Sequence, residues 1–144
     1  MTPFVHNDGG RSAAGYKGST SDCVVRAISI ATEIPYQEIY DLVNLMGGKE
    51  RKSKRKSSKS SARTGVYKAT TRKIMDQLGW EFIPTMSIGS GCKVHVRQDE
   101  LPNGRLVLNL SKHVAAFIDG VLHDTWDCSR NGTRCVYGYW QKKT

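Results

Sequence analysis

The stretch HVAAFI-DG-VLHDTW, residues 113–126, constrains this chain more than any other. Asp-Gly between two β-rich runs is a favoured two-residue hairpin turn. A loop made of Asp119 and Gly120 alone fixes the pairing on either side of it. Ile118 then faces Val121, Phe117 faces Leu122, Ala116 faces His123, Ala115 faces Asp124 and His113 faces Trp126. Side chains alternate along a strand, so His113 shares a face with Ala115 and therefore with Asp124. Such diagonal neighbours stand about 7–8 Å apart at the backbone, within reach of an imidazole–carboxylate hydrogen bond. The small Ala115 leaves room between them. His123 and Asp127 point to the opposite face in this register, and a bulge would reverse the choice between Asp124 and Asp127.

Ahead of the hairpin the periodicity is helical. In DCVVRAISIATE, Val24, Ala27, Ile28 and Ala31 recur at helical spacing, with Ser21 or Asp22 available as N-cap. Pro35 interrupts, and a second helix is predicted from Tyr36 to about Met46, stopped by Gly47-Gly48. A third is predicted from about Val66 to Leu78, ended by Gly79. From Trp80 the pattern turns to strands: WEFIP, KVHVR as a strand or edge segment, RLVLNLS, the hairpin, and RCVYGYW. Residues 1–21 read as an irregular lead-in. Helices first and an antiparallel sheet last define an α+β architecture, with N-terminal helices packed on a C-terminal antiparallel β-sheet.

A length of 144 residues fits one domain spanning 1–144. Net charge is +9, and eight basic residues against Glu50 between Lys49 and Arg63 supply +7 of it. The segment KERKSKRKSSKSSARTG has no large apolar residue, which predicts a mobile basic insertion at about 48–65. Its Lys52, Lys54, Arg55 and Lys56 are candidates for holding nucleic acid by counterion release, or an acidic protein. The segment carries no aromatic residue on which single-stranded bases would stack. No apolar run approaches the roughly 20 residues that cross a bilayer. No basic start followed by an apolar stretch marks an export signal, so a cytoplasmic protein with no membrane partner is expected.

That expectation makes disulfides an improbable framework for Cys23, Cys92, Cys128 and Cys135, and turns attention to metal or catalysis. Cys92-x-x-His95 has ligand spacing, but structural zinc sites show tighter doubled pairs, so neither metal nor cofactor is expected. GSGCK at 89–93 lacks the remaining positions of a phosphate loop. Cys23 differs from the other three by its place at the start of a helix. Unpaired amides and the helix dipole there favour the thiolate, the nucleophilic form. A thiolate needs a base, normally His, with a third group holding the imidazole.

Cys at a helix start, then a distant His opening a strand, then Asn or Asp on the next strand, is an order that resembles the papain-like cysteine peptidases. Asp124-Thr125-Trp126 is similar to the Asn-Ser-Trp segment of those enzymes, and Asp22-Cys23 to the nucleophile region of bacterial double-glycine leader peptidases. The chain also resembles small papain-like proteins of phages and mobile elements. The resemblance implies a papain-like fold and a thiol hydrolase acting on an amide or thioester bond of a protein or peptide substrate. It implies Cys23 as nucleophile, His113 as general base and acid, and Asp124 as orienting group. Where those peptidases place a Gln before the Cys, position 17 is Lys. The Cys23 amide would then hold the oxyanion, with Ser19, Thr20 or Ser21 as helpers. The alternative is the same fold without turnover, a binding module using the basic segment.

Overall fold

Asp119 and Gly120 both take positive φ, 47° and 83°, the conformation of a two-residue turn that matches the twist of its flanking strands. The computed structural model describes residues 2–18, 20–50, 59–87 and 89–143. In it the turn joins β4 (His113–Ile118) to β5 (Val121–Asp124), with Ala116 opposite His123, Phe117 opposite Leu122 and Ile118 opposite Val121. The register is the one the turn predicts. Four further strands, β1 (Phe4–His6), β2 (Trp80–Pro84), β3 (Arg105–Leu110) and β6 (Gly138–Lys142), complete a six-stranded sheet in the order β1-β5-β4-β3-β6-β2.

With three helices, α1 (Cys23–Thr32), α2 (Tyr36–Gly48) and α3 (Lys68–Gln77), this is an α+β arrangement. The sheet is mixed, which corrects the antiparallel expectation: β1 runs parallel to β5, pairing Phe4 with Leu122 and His6 with Asp124. The lead-in is therefore structured. Its strand covers the outer side of β5, so β5 is an interior strand and Asp124 is only 3% exposed.

Both faces of the sheet are buried. On one, α1 to α3 cover Val107, Val114, Ala116 and Trp140 with Val25, Ile28, Ile39, Val43, Ile74 and Met75. On the other, Leu106, Leu108, Leu110, Phe117 and Leu122 pack under Val96, Leu101, Cys128 and Val136 from the loops. This second core explains why β3 reads as an almost continuous apolar run.

Other boundaries moved for local reasons. α2 continues through Gly47, where a Cβ would come within 2.1 Å of the Ser60 carbonyl oxygen; the glycine admits a crossing chain rather than stopping the helix. That crossing corrects the basic insertion at its far end. Ser60 and Ala62 are buried, Ser61 bridges Gly65, and the Ala62 amide donates to Asn44 Oδ1 at 2.9 Å. Lys52, Lys54, Arg55 and Lys56 lie outside the described residues. KVHVR and the start of RCVYGYW form no strand, meeting only in a bridge between His95 and Cys135. Cys92 and Cys135 are joined as a disulfide with Cα atoms 5.8 Å apart, a separation typical of such bonds. The reading against disulfides came from an inferred compartment, which carries no geometric information; the bridge between His95 and Cys135 brings the two segments together. Among the described residues no helix is long and apolar enough to cross a membrane.

Candidate active site

α1 is buried nearly all round, from Val24 to Ala31, and one of those positions is an arginine. A buried guanidinium must be paired. Arg26 reaches back one turn to Asp22 Oδ1 and outward to Asp124 Oδ1 at 3.3 Å. Asp22 also accepts from the Tyr36 hydroxyl at 2.6 Å and faces Arg11 Nε at 3.6 Å. This cluster ties the start of α1 to the end of β5. It also takes up the Asp22 carboxylate, so that Asp22 occupies the N-cap position of α1 but makes no side-chain cap. The first-turn amides of α1, which have no partner within the helix, are thereby left without that competing acceptor.

Cys23 opens α1, half-buried, within electrostatic reach of the His113 ring. His113 Nε2 lies 2.6 Å from Asp124 Oδ2. Asp124 Oδ1 additionally accepts from the Thr125 amide at 2.7 Å. The structure thus hydrogen-bonds His113 to Asp124 and sets Cys23 where its thiol interacts with the imidazole. Trp126 stands against the His113 ring, 5.2 Å between centroids, and Arg134 lies over the far part of Trp126.

The electrostatics favour charge separation along this line. Burial opposes ionisation of Cys23, but the His113 hydrogen bond and charge, the Val114 amide and Arg26 outweigh it, and the thiol pKa falls below its ordinary value. Burial also works against the imidazolium. Hydrogen bonds from His113 to Asp124, Cys128 and Cys23, with the Asp124 charge, prevail and raise His113 to about 11. Asp124 is likewise desolvated, yet His113, the Thr125 amide and Arg26 hold it below the usual carboxylate range. The three shifts all run towards a thiolate–imidazolium pair backed by a carboxylate.

The remaining predicted residues are placed differently. Thr20 Oγ1 donates to the Arg63 carbonyl at 3.0 Å, and the Ser21 amide donates to the same oxygen at 2.8 Å. Thr20 is therefore committed to anchoring residues 59–65, which corrects its reading as a free oxyanion donor. Ser21 is exposed, and Ser19 lies outside the described residues. His123 faces Asn7 on the other side of β5, and His95 bonds Glu100. Asp127 accepts from Ser129.

Sequence reasoning missed Arg26, Asp22 and Tyr36. The available signal was a charged residue inside an otherwise apolar helix with an opposite charge four positions earlier. It also missed Cys128, which is fully buried; its sulfur, a His113 ring nitrogen and an Asp124 oxygen lie within 4.8 Å of one another. A thiolate, an imidazole and a carboxylate at that spacing could also take zinc. Two cavities adjoin these elements. One of 770 Å³ is lined by Thr20, Ser21, Tyr40, Asn44, Arg63 and Thr64. The other, of 290 Å³, is lined by Lys68, Ala69, Arg72, Phe82, Asn109 and Trp140. No known protein family, curated protein or solved structure matches the chain.

Proposed function

We propose that this chain is a papain-like thiol hydrolase that cleaves an amide or thioester bond in a protein or peptide. The observation that carries the reading is the line from the Cys23 thiol through His113 to an Asp124 held on both oxygens. The order of elements, with a helix opening on the nucleophile ahead of the sheet that bears the base, agrees with a papain-like fold.

In the reaction the Cys23 thiolate attacks the carbonyl carbon. The developing oxyanion lies at the uncapped first turn of α1, where the Cys23 amide and the helix dipole would stabilise it. The His113 imidazolium then gives its Nδ1 proton to the departing amine or thiol, leaving an acyl-thioester on Cys23. Water attacks this ester as neutral His113 takes its proton, and the carboxylic acid product leaves with the thiolate–imidazolium pair restored. Asp124 keeps the ring oriented throughout and stabilises its charge.

Iodoacetamide at neutral pH tests the first step. Cys23 is expected to be alkylated well ahead of buried Cys128, and Cys23→Ala to abolish hydrolysis of a peptide thioester panel. Cys23 inert in the folded protein but reactive after unfolding would overturn the proposal.

A further inference from the structure

The 290 Å³ cavity lies on the helix-covered face of the sheet, between the start of α3 and strands β2, β3 and β6. Its polar groups have one character. Lys68 and Arg72 bring positive charge from α3, and among the described residues neither has an acidic partner at ion-pair distance. The Lys68 ammonium rests on Asn109 Oδ1, and Arg72 lies over the Phe82 ring at 4.9 Å. Trp140, 2% exposed, closes the inner side of the space with its ring. The charges on that space are therefore cationic. Nothing acidic lines that space.

Asn109 and Lys68 connect the cavity lining to the nucleophile. Asn109 pairs across the sheet with Val114, whose amide helps to lower the Cys23 thiol. The charge on Cys23 is felt at Lys68, where it opposes the lowering caused by desolvation.

We propose that this cavity is a substrate subsite for a carboxylate, so that the enzyme selects an acidic residue, aspartate or glutamate, beside the bond it cleaves. The proposal rests on the thiol-hydrolase reading and names the substrate class of that site. A volume of 290 Å³ suits one side chain rather than a larger ligand. Carboxylate oxygens would receive the Lys68 and Arg72 donors, while Phe82, Ala69 and Trp140 line the methylenes.

Two alkylating reagents that differ by one charge test it without requiring turnover: chloroacetyl-glutamic acid amide and chloroacetyl-glutamine amide. Their rates at Cys23 are each divided by the rate with free cysteine. The glutamate reagent is expected to be favoured about tenfold or more, the scale of a charge-assisted hydrogen bond. The ratio should fall towards one in Lys68→Gln/Arg72→Gln. It should persist in Lys143→Gln, a control for overall charge. Equal rates with a reactive Cys23, a ratio unmoved by the cavity variants, or one lost in the control would each overturn the subsite alone. A Cys23 that reacts with neither reagent overturns the hydrolase reading and the subsite with it.

Discussion

At the scale of single residues, the site is governed by one competition: desolvation against pairing. Burial disfavours charge on Cys23, His113 and Asp124 alike, yet each group's neighbours reverse the effect. The sign for Cys23 follows directly. Its folded pKa lies below 9.0, its ordinary value, so the folded chain keeps a thiolate at pH values where the unfolded chain has lost it. His113, raised to about 11, keeps the partner imidazolium across the same range. Alkylation of Cys23, followed as rate against pH, is therefore expected to hold its plateau to lower pH in the folded protein than in the unfolded chain. His113→Ala should move the fall upward and lower the rate at neutral pH by about tenfold or more; an unmoved profile would separate the thiol from the imidazole. The contact between His113 and Asp124 was legible in the sequence because a two-residue turn transmits register over 11 positions without tertiary help. Cys128 was not legible: its approach to His113 depends on the loop after β5, whose path no periodicity reports.

At the scale of elements, the question is what holds α1 against the hairpin, since Cys23 rides on one and His113 on the other. α1 is fixed at both ends. Arg105 from β3 donates to the Ala31 and Ile30 carbonyls at 2.7 and 2.6 Å, closing the helix C-terminus onto the sheet. Arg26 joins the N-terminal half to Asp22 and Asp124. Replacing Arg26 with Met would remove the cation that bridges the buried Asp22 and Asp124 carboxylates, a loss of about 3–5 kcal/mol for a broken buried pair. The expected outcome is a urea midpoint shifted down with the m-value unchanged, together with slower alkylation of Cys23. Full stability in Arg26→Met would mean that the cluster is not what docks the helix. Apolar spacing placed α1 in advance, because Val24, Ala27, Ile28 and Ala31 face the sheet. It was silent about β1, three residues long and paired with a strand more than 100 positions away. Such a pairing is decided by the free edge of β5, not by any local pattern.

At the scale of the whole molecule, charge and fold are divided between different parts of the chain. Of the +9 net charge, +7 falls between Lys49 and Arg63, while the two cores, Ala62 apart, and the candidate site are built by residues on either side. The segment cannot simply be deleted. Ser60 and Ala62 are buried, Arg63 accepts from Thr20 and Ser21, and Glu50 Oε1 accepts from the Ser60 amide at 2.7 Å. Replacing Arg51, Lys52, Lys54, Arg55, Lys56 and Lys59 with Gln leaves those anchors in place and removes six positive charges. Any affinity of this protein for unrelated duplex DNA should be electrostatic, with log K falling linearly in log salt at a slope of about −0.9 per phosphate neutralised. In the substituted chain both the affinity and the slope should collapse while Cys23 alkylation is unaltered, because none of the six belongs to the candidate site. A slope that survives the substitutions would place polyanion binding on the folded surface. The cationic cavity at the start of α3 would then be the next region to examine, since Lys68 and Arg72 are the charges there without acidic partners among the described residues.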